Sequence, residues 1–170
     1  MPIGIFKNIQ EQIYAETLII EQHFHNDEIW LGAGAVQDSL TGYQLTSGNN
    51  LFGNAILLLD TDDTPIIAGR TDFDLHRIFI TQISTATTMY IRLIHGTGTV
   101  EQAEAERCYT TVPFASSGLG SNLKGDPSNF IFNKVPVHEK VWARCKNVTN
   151  LATISILVGL HEYPSWEHCI

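Results

Sequence analysis

The stretch from Glu139 to Pro164, EKVWARCKNVTNLATISILVGLHEYP, constrains the fold more than any other part of the chain. Val141, Ala143 and Cys145 alternate with Trp142, Arg144 and Lys146. Further on, Ile154, Ile156, Val158 and Leu160 alternate with Ser155, Leu157, Gly159 and His161. Between them Asn147-Val148-Thr149-Asn150 carries short polar side chains that bond their own backbone, which is turn chemistry. Period-two alternation, β-branched enrichment and a polar break predict two strands folded into a hairpin. One face is apolar enough to require a second sheet against it, and a one-residue slip would turn that face to water. The expected fold is an all-β sandwich.

The rest of the chain repeats this texture. Ile5, Ile9 and Ile13, with Phe6, fit a short N-terminal helix or an extended arm over residues 1–13. From Ala15 a long strand puts Leu18, Ile20 and Phe24 on one face. Breakers between Gly32 and Gly53 surround a short strand near 42–46. Ala55 to Asp60 reads as a buried strand, followed by a turn and a return over 66–68. Phe73 to Ile83 reads as a long strand with Phe73, Leu75, Phe79 and Ile83 on one face, pairing with Thr88 to His95 across Ser84–Thr87. Glu101 to Glu106 are good helix formers, and acids near a helix start suit its dipole, so one short helix is expected near 99–107. Thr110 to Phe114 and Phe130 to Val137 read as further strands, separated by a Gly/Ser/Asn-rich loop over 115–129. About eight strands with short turns suit a jelly-roll-like sandwich over residues 14–164, with a tail over 165–170.

A chain of 170 residues is most simply one domain. Eighteen acidic against ten basic residues give a formal charge of -8, which argues against a nucleic-acid partner, because phosphate binding needs clustered Lys and Arg. The densest basic group is Lys140, Arg144 and Lys146. Cys108, Cys145 and Cys169 show no framework spacing, and Cys145 fits a small core residue, as expected of a protein assembled in a reducing compartment. No apolar run is long enough for a membrane span, and no secretory signal is evident.

Candidate chemistry is sparse. His23 and His25 lie two apart and share a strand face with Glu21, Glu28 following, which would suit a cupin-like metal site; the flanking glycine pattern and a partner His are missing, and a solvent-facing edge strand is the plainer reading. Asp60, Asp62 and Asp63 resemble the opening of a calcium loop, but Pro65 stands where the loop needs its glycine, which leaves a charged turn. Asn147-Val148-Thr149 matches a glycosylation sequon inside a tight turn, where chance explains it. Gly118-Leu119-Gly120 lacks the rest of a phosphate loop. Ser116, Ser117 and Ser121 have no His nearby in sequence. His76, His95, His138 and His161 fit hydrogen-bonded strand residues. No catalytic residue and no cofactor is expected.

Three segments together, DFDLHRIFITQISTATTMYIRLIHGTGT (72–99), EQAEAERCYT (101–110) and KVWARCKNVTNLATISILVGLHEYP (140–164), resemble capsid decoration (cement) proteins of tailed bacteriophages or closely related virion components. The resemblance covers residues 72–164 and transfers no residue role. It implies a non-enzymatic β-sandwich, assembled in the host cytoplasm, that sits on the virion surface and stabilises the shell. Its implied partners are the major capsid protein and other copies of itself, trimers being favoured, with neither nucleic acid nor membrane involved. Contacts would then come from loops and termini, with Ile5, Phe6, Ile9, Trp166 and Ile170 as apolar interface candidates outside the sandwich. The alternative is a carbohydrate-binding module of a fibre or tail, with Trp30, Tyr43 and Trp142 as a stacking platform.

Overall fold

The computed structural model describes residues 29–33, 41–62, 72–115 and 128–162. They form two sheets and one short helix. The strands are β1 (Ile29–Leu31), β2 (Tyr43–Thr46), β3 (Gly48–Asn49), β4 (Ile56–Asp60), β5 (Phe73–Ile83) and β6 (Met89–Gly96). After α1 (Val100–Ala105) come β7 (Tyr109–Phe114), β8 (Ser128–Asn129), β9 (Lys140–Asn147) and β10 (Thr153–Glu162). In the first sheet β10 pairs with β5 along one edge and with β1 and β2 along the other, and β5 continues to β8. In the second sheet β9 pairs with β6 on one side and with β3 and β4 on the other, and β6 continues to β7. Every pairing is antiparallel except the two-residue match of β3 with β9. The molecule is an all-β sandwich.

The core lies between the sheets. Ile154, Ile156, Val158 and Leu160 of β10 are fully buried, as the alternation predicts, and face Met89, Ile91 and Leu93 of β6 and Val141, Ala143 and Cys145 of β9. Each fully buried aliphatic side chain of this size contributes about 1.5–3 kcal/mol. Cys145 takes its place as a small core residue, and burial pushes its thiol up to about 12.

Three expectations are corrected. First, β9 and β10 form no hairpin: they belong to different sheets and are joined by an arch across the core. Second, β5 and β6 are likewise joined by an arch over residues 84–88 rather than paired. Alternation alone cannot separate the two cases, because hairpin and arch need the same period-two pattern. The difference lies in what each apolar face meets. In an arch the two faces look at each other across the sandwich, and here β5 instead pairs with β10 while β6 pairs with β9. Third, residues 130–137 are not a strand. Arg77 sits opposite Asn129 and Phe73 opposite Val135, so six residues span what four cover on β5. The surplus bulges outward, leaving Ile131 exposed while Phe132 and Val135 turn into the core.

The face assignment along β5 also changes. Thr81 and His76 are extra residues in the β5–β10 ladder, and each bulge shifts the inward parity by one. Phe73 and Leu75 therefore point inward, then Ile78 and Ile80, then Ile83, while Phe79 falls on the other side. The helix matches expectation. Thr99 caps it, accepting from the Gln102 N–H at 3.3 Å while the Gln102 side chain accepts from the Thr99 N–H at 2.9 Å, a reciprocal capping box. The strand expected from Ala15, the return over 66–68 and the loop over 116–127 lie outside the described residues.

Candidate interaction surface

Both arches turn at the same end of the sandwich, and backbone and side-chain bonds tie them together. Asn147, 1% exposed, is the clamp. Its Oδ1 accepts from Thr87 Oγ1 at 3.0 Å and from the Thr149 N–H at 2.7 Å, and its Nδ2 donates to the Thr88 carbonyl at 2.9 Å. The Thr153 N–H donates to Ser84 Oγ at 2.7 Å, joining the arches a second time. The β2–β3 crossing is tied to the β9–β10 arch through Ser47, whose Oγ donates to the Thr149 carbonyl and whose carbonyl accepts from the Leu151 N–H. Buried and donating to the Thr88 carbonyl, the Asn147 nitrogen is out of reach of a glycan.

On this fixed end stand Leu51 and Leu151, each 69% exposed, and Val148 at 63%. Leu151 has φ 57°, in the left-handed region that costs an L-residue with a Cβ about 1–2 kcal/mol. A leucine there accepts backbone strain without gaining packing in its own fold. Beside it runs an open groove of about 330 Å³ between Thr46, Gly48, Gly53, Asn54, Ile56 and Asn150. Gly53 is required by close approach: a Cβ would be driven onto the Thr46 carbonyl oxygen.

A second feature covers part of the outer face of the β9–β6–β7 sheet. Ala103 and Val100 of α1 pack on Trp142, Ile94 and Tyr109. One row along, Arg92 and Arg144 sit directly opposite each other, a destabilising pairing of like charges unless something neutralises it. Glu104 of α1 does so, one carboxylate oxygen accepting from Arg92 at 3.1 Å and the other from Arg144. The Arg92 guanidinium also lies between the Phe52 and Tyr109 rings, 4.0 and 4.1 Å from their centroids.

The residues singled out from the sequence are dispersed. Trp142 is buried under α1, the Tyr43 hydroxyl donates to the Leu58 carbonyl at 2.8 Å with its ring against the core, and Trp30 is half-buried on β1; the three make no common platform. Asp60 accepts from Lys140 at 2.9 Å, which holds its carboxyl below the usual range, and also from the Asp62 N–H. Asp62 pairs with His138 at 2.6 Å. His95 Nδ1 lies 2.6 Å from Glu139 with its ring edge-on to Phe132, and His76 contacts Asp74 and the His161 ring. Among the described residues no group of three or more His, Cys, Asp or Glu is placed to hold a metal, and no helix is long and apolar enough to cross a membrane. Ile5, Phe6, Ile9, Glu21, His23, His25, Glu28, Asp63, Ser116, Ser117, Gly118, Gly120, Ser121, Trp166, Cys169 and Ile170 lie outside the described residues. Leu51, Val148 and Leu151 escaped sequence reasoning, although the signal was present: each is an apolar residue inside a run of Asn, Thr and Gly that otherwise reads as a turn.

No protein-family model matches the chain, and no curated protein or solved structure matches it.

Proposed function

We propose that the chain is a non-enzymatic structural protein of a virion, which decorates a capsid shell as an oligomer and docks through the arch end of its sandwich. One observation carries this reading. Three large apolar side chains stand 63–69% exposed on loops that are cross-tied too firmly to fold them away. A preorganised apolar tip loses little freedom when a partner covers it, so burial there converts efficiently into affinity. Strand order supports the same reading: (β1, β2)-β10-β5-β8 facing (β3, β4)-β9-β6-β7 is compatible with a jelly roll, an architecture used by viral capsid and lectin domains. The phrase-level resemblance over residues 72–164 points to the decoration class within that architecture. The carbohydrate alternative loses its proposed platform, since Trp142 lies beneath α1 and Tyr43 is turned to the core.

The test is co-sedimentation with empty capsids of the phage that encodes the chain. Saturable pelleting of the native protein, lowered about tenfold or more in affinity by Leu51→Asp at unchanged melting temperature, is the expected result; burial of one leucine side chain corresponds to that factor or more. Pelleting unaffected by Leu51→Asp, or no pelleting at all, would remove the docking claim.

A further inference from the structure

The outer face of the β9–β6–β7 sheet is only half covered. Its residues fall into cross-strand rows: Trp142, Ile94 and Tyr109; then Arg144, Arg92 and Thr111; then Lys146, Tyr90 and Pro113. α1 lies over the first row, and its Glu104 reaches the second. Among the described residues only Phe52, bridged to Lys146 at the sheet edge, adjoins the third. Tyr90 is 41% exposed, Pro113 is exposed, and Lys146 is half-buried with no ion-pair partner among the described residues. Rows lie about 7 Å apart along the strands, and a helix resting on a sheet stands about 10 Å above it. The third row is therefore the floor of a step, with α1 as its wall.

Charge divides along the same step. Three cations, Arg92, Arg144 and Lys146, stand on the sheet, two of them paired with the carboxylate of Glu104. The helix and its cap expose Glu101 and Glu106, with one exposed cation, Arg107, just beyond. The Glu101 carboxyl is held below its usual range first by its own backbone N–H and then by the Thr99 hydroxyl, so it is charged at neutral pH.

We propose that this face is a two-fold self-association surface, in which α1 of each copy fills the step beside α1 of the other. The basic, aromatic floor and the acidic wall lie on one face and point the same way. Two copies facing each other across a two-fold axis satisfy both contacts at once, which is what an isologous interface requires. Tyr90 is the central aromatic anchor, and Lys146 meets the acidic side of the partner's helix. In a chain of net charge -8 most approaches of a second copy are repulsive, and this floor supplies a local attraction that sets the register. The inference rests on the reading of the chain as self-associating; its surface adjoins the arch tip at the Phe52–Lys146 bridge but uses different residues, and it is tested without capsids.

The experiment is sedimentation equilibrium of the full chain alone, native and with Lys146→Glu, Tyr90→Ser, and Lys146→Glu combined with Glu106→Lys. Glu106 is exposed and a lysine near a helix C-terminus favours the dipole, while Lys146 and Tyr90 are partly buried, so the melting temperature of each variant is compared with the native chain and only variants that match it are scored. The native chain is expected as a reversible dimer. Because each substitution occurs twice in a two-fold interface, Lys146→Glu and Tyr90→Ser should each weaken it about tenfold, and adding Glu106→Lys should recover most of what Lys146→Glu loses. A native chain still monomeric at about 100 μM, some 5.5 kcal/mol of association, would overturn the proposal. So would an oligomer of any size that Lys146→Glu and Tyr90→Ser leave unchanged.

Discussion

Leu151 concentrates the argument at the scale of single residues. Its left-handed backbone suits Asn or Gly, yet the position holds a leucine that is mostly in water. Leu151→Asn should therefore raise stability by about 0.5–1 kcal/mol, because an asparagine bonds locally in that conformation, while weakening capsid attachment. Thermal melting and co-sedimentation on the same sample read the two effects; a variant that loses stability would show the leucine to be structural. Cys145 gives a pH signature. Burial raises its thiol from 9.0 to about 12, so between those values the unfolded chain releases a proton that the folded chain keeps. The unfolded state then binds fewer protons, and stability falls as pH rises, by about 1.4 kcal/mol per pH unit. Tyr43, raised by burial as well, adds a loss of the same sign. Replacing Cys145 with Ala should flatten the alkaline slope of the unfolding midpoint, whatever constant offset the lost sulfur causes.

Among the elements, the two arches and α1 decide what the molecule can present. Asn147 holds the arches together through three hydrogen bonds from a buried amide. Asn147→Ala leaves the Thr88 carbonyl and Thr149 N–H without that partner and should cost about 2–4 kcal/mol in denaturant unfolding. Trp142, beneath α1, should behave as core: Trp142→Ala is expected to cost about 3–5 kcal/mol of stability and to leave any response to a glycan panel unchanged. The elements were largely legible in the sequence. The alternation of Ile154, Ile156, Val158 and Leu160 gave β10 its inward face, and the helix-forming run from Glu101 to Glu106 located the helix. Their partners were not legible, since whether Cys145 and Ile154 share a sheet or face each other across the core depends on contacts made far along the chain. The two bulges in β5 were equally hidden. They arise from fitting β5 to β10, and nothing local to His76 or Thr81 announces them.

At the scale of the whole molecule, the sandwich offers two adjoining surfaces of different chemistry. The arch end is apolar and stiff, and the step beside α1 is aromatic and basic within an acidic chain. On the proposed reading the first would attach to a shell and the second would pair copies, so that a capsid-bound oligomer would use both at once. The apolar tip was the part of the candidate site that composition concealed, because Leu51, Val148 and Leu151 sit inside segments whose Asn, Gly and Thr content reads as ordinary turn. The most direct test of the account is backbone hydrogen exchange of the protein bound to capsids, compared with the free protein at the same pH and concentration. New protection is expected on residues 47–54 and 148–151. Protection confined to other segments, with the arch end exchanging as fast as in the free protein, would contradict it.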